Sequence, residues 1–122
     1  IDSCRDRGIR VIWLEEIWEK GTAWAIETAN SVVRDGTDGV YLSFDIDSMD
    51  AAHAPGTCAP TPGGLTSREA IELVRGASAG GLLGVDVVEV APSLEATATS
   101  GTSLIGVRIA VEAMAFHAGA SL

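Results

Sequence analysis

Acidic residues stand at the ends of two apolar segments of the sequence. Asp45 and Asp47 end the segment VYLSFDID, and Glu89 lies near the end of GVDVVEV. Because side chains alternate between the two faces of a strand, Asp45 and Asp47 are expected to point the same way, with Cα atoms roughly 6.5–7 Å apart. Two carboxylates on one face repel each other and resist desolvation, and a bound cation removes both problems. Such oxygen ligands suit Mg²⁺ or Mn²⁺. A metal site is therefore one interpretation of the spacing, and a pair of acids without a ligand is the other.

Other reactive side chains near these acids have simpler interpretations. Asp50 is expected to be a loop acid that backbone N–H groups satisfy. Asp86 should make a structural hydrogen bond, because in a regular strand it faces away from the acid three residues later. His53 is expected to be exposed or to face a substrate. Cys58 is expected to line a pocket without acting as a nucleophile, because no histidine stands at a spacing that would activate it.

Strand-like and helix-like patterns alternate along the chain and must position these acids. The predicted strands are 9–14, 40–46 and 80–90, and the predicted helices are 15–34, 66–79 and 103–117. Thr66 and Glu69 form a capping box at the start of the middle helix. The alternation predicts a parallel sheet covered by helices on both faces. Ligands bind at the carboxyl ends of the strands in such sheets, so Asp45, Asp47 and Glu89 could converge on one crevice.

The aromatic residues and the last histidine are assigned structural roles. The tryptophans are expected to pack in the core and between helices rather than to form a ligand cage: Trp13, Trp18 and Trp24. His117, on the last predicted helix, is expected to be structural as well.

Composition and charge exclude several functional classes for this chain of 122 residues. The net charge is −9 and Lys20 is the only lysine, so nucleic acid is not an expected partner. No apolar run approaches the roughly 18 residues that a membrane span needs. Cys4 and Cys58 follow no metal-binding spacing and fit a reducing cytoplasm. Because the sequence starts without an initiator Met or a helix cap, we expect it to be part of a longer chain.

Two segments of the sequence resemble the ureohydrolase family, which contains arginases, agmatinases and related hydrolases of guanidino compounds. SFDIDSMDAAHAPGTCAPTPGGLTSREA resembles the family signature, and GVDVVEVAPSLEATATSGT is similar to a later family segment. The resemblance implies a three-layer α-β-α fold with a mainly parallel sheet. It also implies that residues 1–122 are the C-terminal part of a single ureohydrolase domain whose N-terminal part is absent.

The resemblance assigns roles to the three acids. Asp45 would bridge both ions of a binuclear manganese centre, and Asp47 would bind the second ion. Glu89 would bind the substrate guanidinium, whose planar fork of N–H groups matches a carboxylate. The loop residues His53 and Cys58 are possible substrate contacts. The remaining metal ligands and the proton-transfer histidine are expected upstream, so no catalytic residue is assigned within the chain.

The implied reaction is hydrolysis of a guanidino compound to urea and an amine. Agmatine, which gives putrescine, is the first expected substrate, and guanidinobutyrate, guanidinopropionate, arginine and free guanidine stay open. Ni²⁺ is the alternative metal. A trimer or hexamer is the expected assembly, and the cytoplasm is the expected compartment.

Three positions of the first segment depart from the family signature. Ala51 stands where the family usually has Pro, Cys58 where Gly is usual, and His53 where an apolar or aromatic residue is common.

Two rival functions stay open. A phosphotransferase of the haloacid dehalogenase type also uses D-x-D, but it needs a downstream lysine, and none follows Lys20. The other rival is a degenerate domain that acts in assembly. Loss of the upstream histidine and aspartate motifs would favour it.

Overall fold

The computed structural model describes residues 2–96 and 100–119. Its helices are α1 (Asp2–Arg5), α2 (Leu14–Lys20), α3 (Thr22–Val33), α4 (Ser67–Ser78) and α5 (Gly101–His117). Its strands are β1 (Tyr41–Asp45) and β2 (Gly84–Val88), and short 3₁₀ turns follow them at Ile46–Ser48 and Pro92–Leu94. No helix within the described ranges is long and apolar enough to cross a membrane.

β1 and β2 form a parallel pair that fixes where the acids lie. Leu42 is paired with Val85 and Asp45 with Val88, so both strands end at the same edge of the sheet. A parallel pair needs a crossover connection, and the long loop with α4 supplies it here. The carboxyl ends of both strands therefore meet, as the sequence predicts.

The hydrophobic core lies on one face of this pair. Phe44 of β1 packs with buried residues of α4, α5 and the turn and loop that follow β1: Ile46, Met49, Ala54, Ala70, Val74, Ile109 and Ala113. The opposite face carries Tyr41, which is 61% exposed, together with exposed Ser43 and Asp45. The described residues thus contain a parallel sheet and one helical layer of the predicted three-layer arrangement. The other helical layer is not among them.

The capping box at the start of α4 is confirmed. The Glu69 N–H donates to the Thr66 hydroxyl at 3.2 Å, and the Thr66 N–H donates to the Glu69 carboxylate at 2.8 Å. These bonds satisfy backbone donors that the first turn of a helix leaves unpaired. Farther along, Arg75 of α4 makes two bonds to the buried carboxylate of Glu112 on α5, at 2.8 and 2.9 Å. The two helices are thereby held together over the core.

The predicted strand at 9–14 is wrong. Residues 9–13 form no regular element, and the Glu16 carboxylate accepts the Trp13 N–H at 3.0 Å as α2 begins. Ile9 and Trp13 are each 51% exposed, so this apolar run does not enter the sheet. The predicted helix 15–34 is split in two. Gly21, with φ of 87°, separates α2 from α3 because it adopts a backbone conformation that other residues rarely take.

The structural role predicted for the tryptophans holds only in part. Trp18 is 57% exposed and Trp13 is half exposed, so neither belongs to the core. Trp24 is half-buried, and the Lys20 ammonium lies 4.2 Å from the centre of its ring. The structural role of His117 is confirmed, because its Nδ1 accepts the Leu82 N–H at 2.9 Å.

Candidate metal and substrate site

Asp45 and Asp47 lie where β1 gives way to a 3₁₀ turn. Asp45 is the last residue of the strand, and its Oδ1 accepts the Asp47 N–H at 2.9 Å, which caps the turn. The strand alternation that predicts a shared side-chain direction therefore stops at Asp45. The turn links the two residues instead, because the Asp45 side chain folds back onto the backbone of Asp47.

Each of these carboxylates keeps one oxygen for a ligand. A hydrogen bond from the Thr57 hydroxyl occupies Oδ1 of Asp47. Oδ2 of Asp45 and Oδ2 of Asp47 accept no hydrogen bond from any described residue. Two such oxygens suit Mg²⁺ or Mn²⁺. Within residues 2–96 and 100–119, however, no three His, Cys, Asp or Glu side chains are grouped to hold an ion. These acids therefore fit a share of a metal site rather than a whole one.

Glu89 follows β2 in a strained backbone conformation. Its φ is 62°, in the left-handed region that costs a residue with a side chain roughly 1–2 kcal/mol. The pairing of Asp45 with Val88 places the next residue, Glu89, at the same sheet edge as the two aspartates. Its side chain is exposed. Strained residues of this kind cluster at binding and catalytic sites, which singles Glu89 out as a functional candidate.

Asp50 organises the loop that borders this edge. Its carboxylate accepts the Ala52 N–H at 2.7 Å and the Gly63 N–H at 2.6 Å, so it joins the two ends of the loop. These bonds, the one from Ala52 first, hold the pKa of Asp50 below its ordinary value, and nearby His53 adds to the effect. The prediction of a loop acid satisfied by backbone groups is confirmed.

Asp86 has the structural hydrogen bond that the sequence predicts. The Tyr41 hydroxyl on β1 donates to its Oδ2 at 2.6 Å. This bond is the main reason why the pKa of Asp86 lies below its ordinary value, with the Ser43 hydroxyl second, and why the pKa of Tyr41 is raised. Asp86 thus links the two strands across the exposed face of the sheet.

The two unusual loop residues, His53 and Cys58, are both exposed. The Nδ1 atom of His53 lies 3.0 Å from the Ser67 hydroxyl at the start of α4. No described contact brings His53 or Cys58 onto the metal-ligand candidates. Their proposed contact with substrate stays a prediction.

Sequence reasoning missed two threonines that border the acids. Thr57 is 3% exposed and donates to Asp47, while Thr102, which is fully buried, accepts the Gly56 N–H at 2.8 Å. Thr57 stands in the APGT stretch of the family-like segment, so the sequence alone could have suggested it as a candidate site residue. The contact of Thr102 could not be read from spacing, because 46 residues separate it from Gly56.

Comparison with known proteins gives this geometry a family. The model of the Arginase family matches residues 1–116. The chain belongs to the arginase family. A guanidinobutyrase from Pseudomonas aeruginosa is 44% identical over 110 residues, covering 88% of this chain and 33% of the relative. An agmatinase from Citrobacter koseri is 40% identical over 114 residues, covering 93% of this chain and 36% of the relative.

The solved structure of proclavaminate amidino hydrolase from Streptomyces clavuligerus superposes on this arginase-family chain with a TM-score of 0.86 and 36% identity. The match covers 98% of this chain and 38% of that one. The α/β fold class predicted from the sequence is therefore confirmed. The chain spans about a third of the length of the curated relatives that it matches.

Proposed function

We propose that this chain is the C-terminal part of a metal-dependent ureohydrolase that hydrolyses a guanidino compound to urea and an amine. The observation that carries the proposal is the strand register. Because Asp45 is paired with Val88, Glu89 follows β2 at the same sheet edge where β1 ends in Asp45, and its backbone is strained. Membership of the arginase family supports the same reaction class.

Asp45 and Asp47 are the proposed metal ligands of this chain. When bound, divalent cations would supply an activated water for hydrolysis. Because the described residues complete no metal site, we propose that residues outside this chain provide the remaining ligands and the proton-transfer histidine. The chain's length, a third of that of its relatives, is consistent with this division.

Glu89 is the proposed substrate carboxylate. A guanidinium group is planar and presents parallel N–H donors, which a carboxylate can accept in pairs. In its exposed position at the end of β2, the Glu89 carboxylate is accessible to such a group. It would orient the guanidinium beside the metal ligands and offset its positive charge.

Agmatine is the first substrate that we propose, and 4-guanidinobutyrate is the second. The second is favoured by the guanidinobutyrase, whose 44% identity exceeds the 40% of the agmatinase. The two substrates differ at the end away from the guanidinium, where one carries an ammonium and the other a carboxylate. The loop with His53 and Cys58 borders the site and is the proposed source of this discrimination.

The remaining assignments follow the family resemblance. Mn²⁺ is the proposed metal, because carboxylate oxygens suit this cation. Ni²⁺ is the alternative that the resemblance leaves open. A homotrimer or homohexamer is the proposed assembly, and the cytoplasm is the proposed compartment.

Urea release by the complete protein tests the proposal. The protein is loaded with Mn²⁺ or Ni²⁺ and assayed with agmatine, 4-guanidinobutyrate, 3-guanidinopropionate, arginine and guanidine. Glu89→Gln should lower kcat/KM by about a hundredfold or more, since it removes a charge that pairs with the guanidinium. Glu19→Gln, a change on the exposed side of α2, is the matched control and should keep full activity. Absence of urea from every substrate with either metal would show a degenerate domain instead.

A further inference from the structure

The backbone of Gly56 and the side chain of Thr57 are held from three directions. The Gly56 N–H donates to the Thr102 hydroxyl at 2.8 Å, and its carbonyl accepts the Ala91 N–H at 2.8 Å. The Thr57 hydroxyl donates to Oδ1 of Asp47. One peptide segment is thus bonded to the start of α5, to the segment after β2 and to the turn after β1.

These contacts are shielded from water. Thr57 is 3% exposed and Thr102 is fully buried, so solvent does not compete for their hydroxyl groups. The fit at Gly56 is close, because a β-carbon there would lie 2.9 Å from the Thr102 hydroxyl oxygen. Thr102 is itself fixed, since its N–H donates to the Glu95 carboxylate at 3.0 Å. The arrangement is rigid and admits only glycine at the contact point.

We propose that Gly56 and Thr57 form a positioning clamp for Asp47. The inference rests on the proposed function, in which Asp47 holds a cation. The Thr57 hydroxyl binds one carboxylate oxygen and so fixes the rotation of the group, which leaves the other oxygen available to the ion. Groups that orient a metal ligand in this way typically contribute about ten- to a hundredfold to metal affinity. Thr57 and Thr102 are therefore positioning residues of the site.

The clamp also connects the two halves of the proposed site. Ala91, which bonds to Gly56, is only two residues beyond Glu89 on the same segment. A shift of Gly56 would move the support of Asp47 and the segment that carries Glu89 together. The clamp therefore couples the position of the metal ligand to that of the substrate carboxylate.

The test is the dissociation constant of Mn²⁺, measured by titration calorimetry on the complete protein without substrate. Thr57→Val keeps the shape of the side chain and removes the hydroxyl. It should weaken binding of one Mn²⁺ by about ten- to a hundredfold. Thr57→Ser keeps the hydroxyl and should stay within about threefold of the unaltered protein. Thr37→Val, at an exposed threonine beyond α3, is the control for an unrelated hydroxyl and should leave the Mn²⁺ dissociation constant unchanged.

Melting of the metal-free protein separates positioning from simple stability. If Thr57→Val lowers the Tm of the metal-free protein but leaves the Mn²⁺ dissociation constant unchanged, the residue is only structural and the proposal is overturned. Should Thr57→Val not fold, the pair Thr102→Val and Thr102→Ser decides the question. Thr102 touches Gly56 rather than Asp47, so only the clamp predicts weaker Mn²⁺ binding in the valine variant.

Failure of the clamp and failure of the proposed function give different results. A protein that binds Mn²⁺ but releases no urea refutes the hydrolase, while the comparison of Thr57→Val with Thr57→Ser still decides on the clamp. Unchanged affinity in an active protein refutes the clamp alone. A protein that binds neither Mn²⁺ nor Ni²⁺ overturns both, because Asp47 is then not a ligand.

Discussion

Glu89 combines an exposed carboxylate with a backbone conformation that favours glycine. Its φ of 62° lies in the left-handed region, as does that of Ser100. A long side chain held there at the end of a strand costs stability, and such costs persist where function requires the side chain. The strain at Glu89 is thus explained if its carboxylate binds substrate.

Replacement of Glu89 separates this strain from the function of its carboxylate. Both Glu89→Gly and Glu89→Ala should abolish urea release by the complete protein. Glu89→Gly should be more stable than Glu89→Ala by about 1 kcal/mol, because glycine adopts a positive φ without steric cost. Chemical denaturation of the two variants measures the difference. Equal stabilities would show that the backbone relaxes at this position and that no strain is stored there.

At the scale of elements, α4 and α5 are joined by an ion pair at the edge of the core. Glu112 is 3% exposed and accepts two bonds from Arg75 and one from Arg108 at 2.6 Å. The Arg75 guanidinium also lies 5.3 Å from the ring centre of Phe116. Glu112 is the buried member of this pair, so removal of Arg75 would leave its charge less well satisfied in the interior. The two bonds from Arg75 also link α4 to α5.

This ion pair predicts acid sensitivity. Arg75 first and then Arg108 hold the pKa of Glu112 below its ordinary 4.5, so the folded state binds the proton more weakly than the unfolded chain. The stabilisation is therefore complete at pH values above 4.5 and is lost as the pH falls through the lower pKa of the folded state. Glu112→Gln should lose about 2 kcal/mol of stability at pH 7 and show a flatter decline below pH 5.

Unfolding free energies at several pH values between 7 and 3 measure this effect. Glu19→Gln is the control, because Glu19 is exposed and makes no ion pair within the described residues. Parallel pH profiles for Glu112→Gln and the unaltered protein would contradict the assignment of acid sensitivity to this pair.

Elements with local signals are the ones that the sequence predicts well. The capping residues Thr66 and Glu69 identify the start of α4, and the apolar run before Asp45 identifies β1. The run at 9–14 has the same composition as a strand but finds no strand partner among the described residues. Because a strand needs a neighbouring strand to pair with, the apolar residues at 9–14 alone do not determine whether this segment forms a strand.

The candidate site also has parts that local sequence signals predict and parts that depend on tertiary structure. The end of β1 and the register with β2 bring Asp45 and Glu89 to the same edge of the sheet. The apolar runs that form these two strands are local signals in the sequence. The bond from Thr57 to Asp47 depends on how the loop folds back over ten residues. The left-handed conformation of Glu89 likewise depends on tertiary structure, because nothing in its neighbours' identities requires it.

On the scale of the whole molecule, much apolar surface is exposed. One face of α5 carries exposed apolar side chains at helical spacing: Leu104, Val107, Val111 and Met114. Within the described ranges the sheet has only two strands, so each strand has an unpaired edge. Exposed apolar patches and open edges mark surfaces that other parts of a protein cover. They agree with a chain that spans a third of the length of its relatives.

We therefore predict that the 122-residue chain alone releases no urea from any guanidino substrate. Asp45 and Asp47 provide two carboxylates, and a divalent cation held by so few protein ligands dissociates readily. The measurement is a urea assay of the isolated chain and of the complete protein at equal concentration, both with excess Mn²⁺. Calorimetry on the same samples should show much weaker Mn²⁺ binding by the isolated chain. Turnover by the isolated chain would mean that these residues suffice for catalysis. It would refute the proposal that residues outside this chain complete the site.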